Sequence, residues 1–244
     1  MPFHHLGREV FLVPVTWDKN GWFTAGVDGT VQTVMDLPLK TSEQKINERY
    51  DVSFETIKNE PQRFCHLREY HPECYEFTEN SVTLLGNRFT LNDTESPTFL
   101  GVRQSEFDTE LTVSLTGNSP EAGITFYLSE EHHYDLAVLC KEKKRTLILR
   151  LRIGDAVMTA KEIELPEDAQ ITLKVVSDAA QYHFYGIINE EEILLGSART
   201  KYLSSEVAGG FTGVVMGMYA VNPNEDQKQK AQFTNLYWKQ GTDR

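Results

Sequence analysis

The chain has 244 residues, of which 36 are acidic and 24 basic, so its formal net charge at pH 7 is −12. Such a charge repels phosphate backbones and anionic lipid head groups, which argues against nucleic acids and membranes as partners. The hydrophobic content of 40% is that of an ordinary globular protein, so a full core is expected.

The cysteines and the N-terminus bear on the cellular compartment. Cys65, Cys74 and Cys140 are odd in number and match no zinc-binding or redox spacing, so we interpret them as free thiols in a reducing compartment. No apolar run approaches the roughly 18 residues of a membrane span. Residues 1–5 lack the basic and then apolar order of a signal peptide. Together these features predict a cytoplasmic protein.

Residues 1–34 have a strand pattern of their own. Two turn sequences, residues 18–21 and Asp28-Gly29, separate three strand-like segments between Val10 and Val34. A β-meander of this size buries only one face and is marginally stable alone. We therefore expect it to need a partner sheet, supplied either by the following segment or from outside this chain.

Residues 35–48 are polar and are interpreted as a linker to a second domain, residues 49–244. In residues 107–115 apolar and polar side chains alternate, which is the pattern of a strand with one buried face. Further segments of this kind lie at residues 122–128, 134–140, 146–153, 171–176, 182–188, 213–219 and 231–238. Evenly spaced strands separated by turns predict an all-β fold, an antiparallel β-sandwich preceded by a short β-meander.

Three acidic residues of one predicted strand face, Glu106, Asp108 and Glu110, resemble the catalytic strand of family 16 glucanases. That resemblance implies a nucleophile at Glu106 and an acid/base at Glu110. However, a retaining pair needs carboxyl groups about 5 to 5.5 Å apart, and residues i and i+4 of a strand have Cα atoms roughly 13 Å apart. We therefore favour a solvated strand face and keep a glucanase as an alternative hypothesis.

Two histidine pairs, His4-His5 and His132-His133, lie beside glutamates. Neighbouring residues of a strand point to opposite faces, and neither pair has a third ligand at a recognisable spacing. No nucleophile elbow and no glycine-rich phosphate loop occurs. We therefore expect no metal site and no cofactor.

Three stretches resemble the β-xylosidases and arabinofuranosidases of glycoside hydrolase family 43. The first, residues 6–22 with the motif Leu6-Gly-Arg-Glu, is similar to the segment that ends the five-bladed catalytic propeller. The second runs from Phe99 to Leu136, and the third begins at Phe211-Thr-Gly and extends to Trp238. These two are similar to the concanavalin A-like jelly roll at the C-terminus of such enzymes.

This resemblance implies that residues 1–34 are the closing strands of a propeller and that residues 49–244 are an accessory sandwich. The three catalytic carboxylates of the family belong to the rest of the propeller, so no catalytic residue is expected in this chain. By resemblance, Arg8 reaches into the sugar pocket and Phe211 closes its mouth, so that only terminal sugars enter. The hairpin at residues 188–193 lacks the usual Asp-Gly-x-x-Trp sequence.

The partners implied by the resemblance are a xylo- or arabino-oligosaccharide, a catalytic β-propeller domain and further copies of the chain in a homo-oligomer. A second hypothesis is a free-standing, lectin-like carbohydrate-binding module. It rests on the many aromatic residues, since flat rings provide platforms for sugars.

Overall fold

The structure is a computed structural model that describes residues 3–8, 10–32, 34–35, 50–142, 144–226 and 228–241. The chain divides into two compact units, one formed by residues 1–7 and 48–244 and the other by residues 8–47. Within the described ranges, no helix is long and apolar enough to cross a membrane.

The small unit, residues 8–47, contains an antiparallel hairpin of strands β1 (Val15–Trp17) and β2 (Phe23–Ala25). The carboxylate of Asp18 accepts hydrogen bonds from the backbone N–H groups of Asn20 and Trp22, at 2.8 and 2.9 Å. This bonding confirms the predicted turn at residues 18–21, since aspartate side chains stabilise turns in this way. The second predicted turn is also confirmed, because Asp28 and Gly29 both have positive φ.

The apolar side chains of the small unit are mostly exposed. Trp22 is 76% exposed and Trp17 is 65% exposed. The other exposed large apolar residues of this unit are Val10, Phe11, Leu12, Val15, Phe23, Val27, Val31 and Val34. The hairpin therefore buries little of its apolar surface within the small unit.

The large unit is a sandwich of two antiparallel sheets. Its strands are β3 (Tyr50–Val52), β4 (Tyr75–Phe77), β5 (Ser81–Leu84), β6 (Thr98–Arg103), β7 (Thr109–Gly117), β8 (Glu121–Ser129), β9 (His132–Lys141), β10 (Lys144–Ile153), β11 (Ala156–Leu165), β12 (Ile171–Ser177), β13 (Gln181–Ile188), β14 (Glu191–Arg199), β15 (Val215–Val221) and β16 (Ala231–Gln240). One sheet has the order β11-β10-β9-β8-β15-β6. The other has the order β14-β13-β12-β7-β16-β5-β4, and β3 pairs with β16.

Short helices connect some of these strands. They are α1 (Phe54–Asn59), α2 (Ser205–Ala208) and the 3₁₀ helices Pro61–Arg63, Pro72–Cys74 and Thr200–Leu203. The side chain of Ser53 caps α1 by accepting the N–H of Thr56, which satisfies one of the unpaired donors at the start of the helix.

The core of the sandwich lies between the facing sheets. In β7 the apolar residues Leu111, Val113 and Leu115 are buried, as the alternation predicted, and Val113 pairs with Leu173 of β12. Phe126 of β8 packs against Tyr182 of β13 across the sheets, with ring centroids 4.5 Å apart. Each fully buried side chain of this size contributes about 1.5 to 3 kcal/mol through its removal from water. The predicted antiparallel β-sandwich is therefore confirmed.

A buried polar network lies around Asp135 of β9. Its carboxylate accepts a hydrogen bond from Thr125 at 2.7 Å, contacts Nδ1 of His133 at 2.9 Å and accepts one from Nε of Arg150 at 2.8 Å. Burial alone would raise the pKa of Asp135, but His133, Arg150 and Thr125 lower it to about 2. The network therefore keeps a fully buried carboxylate ionised and paired.

Candidate functional site

A glycine-rich loop after α2 presents Phe211. The helix ends at Ala208, and both Gly209, which caps it, and Gly210 adopt positive φ, at 75° and 74°. Side chains other than hydrogen strain such a backbone, so the loop depends on glycine at these two positions. Phe211 is 72% exposed at the end of the turn. The loop therefore holds a large aromatic ring at the surface of the sandwich.

Residues 3–7 pack against this loop. The carbonyl oxygen of His5 accepts a hydrogen bond from the N–H of Val214 at 2.8 Å. Gly7 has a φ of +90°, and a Cβ at this position would lie 2.7 Å from the backbone nitrogen of Gly213. A Cβ on Gly213 would in turn collide with the carbonyl oxygen of Leu6. The motifs that begin at Leu6 and at Phe211 therefore meet, and their glycines permit the contact.

His4 and His5 anchor the same segment. The backbone N–H of His4 donates to the carboxylate of Glu206 at 2.9 Å, and the His4 ring contacts the same carboxylate. These hydrogen bonds lower the pKa of Glu206 to about 2. The buried His5 ring packs against Phe107 and Tyr182, with centroids 5.4 and 6.0 Å away. Burial lowers the pKa of His5 to about 4, so the ring is neutral at pH 7.

Arg8, the other residue predicted to contact sugar, follows Gly7 and is exposed. It belongs to the small unit, whereas Phe211 belongs to the sandwich. The structure thus describes the two residues in separate units. Their convergence on one sugar pocket stays a prediction.

An open groove of about 430 Å³ lies beside the loop that carries Phe211. Four segments of the sandwich line it, and we call it the basic groove because two arginines, Arg68 and Arg103, belong to its lining. The segments contribute Cys65, His66, Leu67 and Arg68; Arg103; Tyr127, Leu128, Ser129 and Glu130; and Ala208, Gly209, Gly210, Thr212, Gly213 and Val215. Sequence reasoning did not predict this groove.

Arg68 organises one wall of the basic groove. It has a φ of 64°, which is uncommon for a residue other than glycine and occurs where the surrounding structure compensates the strain. Its guanidinium donates to the carbonyl oxygen of Glu95 at 2.6 Å and to the carboxylate of Glu130 at 3.3 Å. Burial raises the pKa of the neighbouring Tyr127, so that hydroxyl stays protonated and can donate. The wall presents polar groups in fixed positions.

The acidic trio does not form the strand face that the glucanase hypothesis requires. Strand β7 begins at Thr109, so Glu110 lies in it, whereas Glu106 and Asp108 precede it. The expected start at Phe107 was wrong because side chains bind the backbone carbonyls that a sheet would use. Ser177 donates to the Phe107 carbonyl at 2.7 Å, and Gln104 and Thr109 donate to that of Glu106 at 3.0 and 3.2 Å.

One histidine of each pair contacts a carboxylate. His4 contacts Glu206, and His133 contacts Asp135. Among the described residues, no group of three or more histidine, cysteine, aspartate or glutamate side chains is arranged to hold a metal ion.

The fold and the packing around the glycine-rich loop define a class, the concanavalin A-like antiparallel β-sandwiches. Residues 51–239 match the family model of the beta xylosidase C-terminal concanavalin A-like domain. Because this match covers more than half of the chain, the protein belongs to that family, the C-terminal domain of family 43 glycoside hydrolases.

Two curated relatives are named as glycosidases. The chain is 32% identical over 246 residues to the non-reducing end alpha-L-arabinofuranosidase BoGH43B of Bacteroides ovatus, covering 95% of this chain and 45% of that protein. It is 27% identical over 229 residues to a xylosidase/arabinosidase of Butyrivibrio fibrisolvens, covering 88% of this chain and 43% of that protein. The chain thus spans less than half the length of these relatives.

Solved structures agree with this assignment. The xyloglucan-locus GH43B structure of Bacteroides ovatus superposes with a TM-score of 0.82 at 30% identity, over 99% of this chain and 48% of that one. A xylan beta-1,4-xylosidase of Bacillus halodurans has a TM-score of 0.78 at 23% identity, over 98% of this chain and 48% of that one. The latter identity is low, so this likeness supports the fold alone.

Proposed function

We propose that this chain is a non-catalytic accessory part of a family 43 glycosidase, in which Phe211 caps a sugar pocket formed with a catalytic propeller domain. The observation that carries the proposal is the contact between the two motifs. The segment that packs against the Phe211 loop, residues 3–7, leads directly into Arg8. A phenylalanine held at the surface by two glycines provides an apolar face for a sugar ring.

The exposed apolar surface of the small unit supports a propeller domain as partner. Trp17 and Phe23 are exposed on strands β1 and β2, and Trp22 is exposed in the turn between them. In a larger sheet structure the edges and faces of such strands would be covered. The relatives are about twice as long as this chain, which leaves room for such a domain in them. In this proposal, the small unit supplies the closing strands of the propeller.

The substrate we propose is a terminal arabinose or xylose of an oligosaccharide. The names of the relatives support this class, since one is an alpha-L-arabinofuranosidase that acts at the non-reducing end and another is a xylosidase/arabinosidase. A ring that closes one side of a pocket favours the end of a sugar chain over its interior. Phe211 would thus contribute to substrate specificity without taking part in bond cleavage.

The test uses the full 244-residue chain, first alone and then combined with the part of the Bacteroides ovatus relative that this chain does not match, where we propose the propeller domain lies. With aryl arabinofuranosides and xylosides, we expect no hydrolysis by the chain alone and hydrolysis by the combination. In the combination, Phe211→Ala should raise KM about tenfold, the loss expected for one aromatic contact. Phe77→Ala, which removes an exposed phenylalanine elsewhere, should leave KM unchanged. Hydrolysis by the chain alone would refute the proposal.

A further inference from the structure

We infer that the basic groove binds a sugar that carries a carboxylate, a uronic acid, through the guanidinium of Arg103. That the ligand is a sugar rests on the proposed function, whereas that it carries a carboxylate rests on the charges in the groove. A glycosidase accessory domain with such a groove would recognise an acidic sugar unit next to the sugar that Phe211 covers.

The backbone of Arg103 is fixed, so its side chain starts from a defined position. Arg103 is the last residue of β6 and pairs with Val215 at the start of β15. Its carbonyl oxygen accepts a hydrogen bond from Nε2 of Gln240 at 3.2 Å, and the N–H of Gln104 donates to the carbonyl of Val214 at 2.9 Å. The exposed guanidinium therefore extends from a rigid strand end at the groove.

The two arginines differ in the partners that they have. The guanidinium of Arg68 is occupied by the Glu95 carbonyl and the Glu130 carboxylate, so the charges of Arg68 and Glu130 offset each other. In the parts of the chain that the structure describes, no carboxylate forms an ion pair with Arg103. Burial raises the pKa of the Cys65 thiol, and the positive charge of Arg103 lowers it. Arg103 therefore leaves the groove with one positive charge that a ligand can neutralise.

The groove matches a uronic acid in chemistry and in size. A guanidinium binds a carboxylate through two parallel hydrogen bonds, which is a geometry that a neutral sugar cannot reproduce. The hydroxyl of Ser129 and the carboxylate of Glu130 can bond sugar hydroxyls, and Glu130 would repel a doubly charged phosphate. Gly209 and Gly210 have no side chains, so a ligand can approach their backbone closely. The volume of about 430 Å³ is suited to a ligand of one or two sugar rings.

The net charge of −12 supports a specific site for the carboxylate. Most of the surface of such a protein repels a carboxylate, so an acidic sugar that binds must do so at a local positive site. The basic groove is such a site and lies beside the loop that the proposed function uses.

The experiment compares glucuronate with glucose, which differ only in the oxidation state of one carbon. Ligand-detected NMR on the full chain should show glucuronate binding about tenfold more tightly than glucose, the gain expected for one charged hydrogen-bonded pair. Arg103→Gln should weaken glucuronate binding about tenfold and leave glucose binding unchanged. Arg103→Lys should give an intermediate loss because lysine keeps the charge and lacks the planar geometry.

Arg88→Gln is the matched control, since Arg88 is an exposed arginine that is not part of the groove lining. It should bind glucuronate as the original chain does. Thermal unfolding checks that Arg103→Gln is folded, which we expect because the side chain is exposed. Equal binding of glucuronate and glucose, or an unchanged affinity in Arg103→Gln, would overturn the inference. Competition by inorganic phosphate as strong as that by glucuronate would also overturn it, because the site would then be a general anion site.

This test is separate from that of the proposed function. It measures binding to the chain alone and involves neither hydrolysis nor the propeller domain. Failure of glucuronate binding would leave the capping role intact, and failure of the propeller combination would leave the groove result intact.

Discussion

The small unit and the sandwich are built from similar sequences with opposite outcomes. Both contain short strands rich in aromatic and β-branched residues, yet Trp17 and Trp22 of the small unit are largely exposed and Trp238 of the sandwich is 1% exposed. In the sandwich, core strands such as β7 and β8 face a second sheet that covers their apolar side chains. In the small unit, the hairpin has little to cover it among the described residues. The comparison shows that an apolar strand pattern predicts a strand face that needs a covering surface. The pattern does not show that this surface is present.

Removing a tryptophan from each region should give the largest contrast. Trp238→Ala creates a cavity in the closed core, so the free energy of unfolding of the sandwich should fall by about 3 to 5 kcal/mol. Trp22→Ala should change it by less than about 0.5 kcal/mol. Urea unfolding followed by far-ultraviolet circular dichroism measures both. A comparable loss in both variants would break the contrast between the two regions.

Removing the buried carboxylate of Asp135 should lower the free energy of unfolding of the sandwich nearly as much as removing Trp238. Asp135→Leu leaves Arg150 and His133 without the carboxylate they share, and we expect a loss of about 3 kcal/mol or more. Glu192→Leu is the control, because it removes a partly exposed ion pair with Lys174 and should cost less than about 1 kcal/mol. Equal unfolding midpoints in urea for the two variants would contradict the role assigned to the network.

The buried ring of His5 predicts a pH dependence. An unfolded histidine binds a proton near pH 6.5, whereas the folded His5 binds it near pH 4, so falling pH favours the unfolded chain. Stability should decrease between pH 6.5 and 4 by at most about 3 kcal/mol from this group. His5→Phe should remove that part of the decrease, and His71→Phe, at a half-buried surface position, should keep it. Urea unfolding at a series of pH values measures the difference, and identical profiles for the three proteins would refute the assignment.

A change in the turn of the small unit should have the smallest effect. Asp18→Ala removes the side-chain acceptor for Asn20 and Trp22, and we expect a local loss of about 1 kcal/mol. Amide hydrogen exchange should speed up at residues 18–22 and stay unchanged in β7 to β10. Faster exchange in the sandwich would contradict a loss confined to the turn.

Much of the fold was predictable because the core strands show clear alternation. Eight strand segments of the sandwich and both turns of the small unit were predicted, and β11 and β14 are among the strands that were not. Strand β11 is exposed along nearly all of its length, so its sequence has no buried face to reveal. Strand β14 begins in the acidic run Glu190-Glu191-Glu192, after a turn in which Asn189 and Glu190 have positive φ.

The candidate site was predictable only where a short motif marked it. Phe211 follows two glycines, so its presentation by a loop could be inferred from neighbouring residues. The basic groove brings together residues as distant in sequence as Arg68 and Gly213, which only the pairing of strands places side by side. The burial of His5 against Tyr182 depends in the same way on long-range packing. The cytoplasmic location and the homo-oligomer stay predictions.

The contact between Gly7 and Gly213 determines how this protein can be divided. Residues 1–7 belong to the sandwich although 40 residues of the small unit, 8–47, follow them before the chain returns to it. A shortened protein that starts at residue 48 would lose His5. The ring of His5 packs against Phe107 and Tyr182, and its carbonyl oxygen accepts the hydrogen bond from the N–H of Val214. Anyone who expresses the sandwich by itself should therefore join residues 1–7 to residue 48 through a linker instead of deleting everything before it.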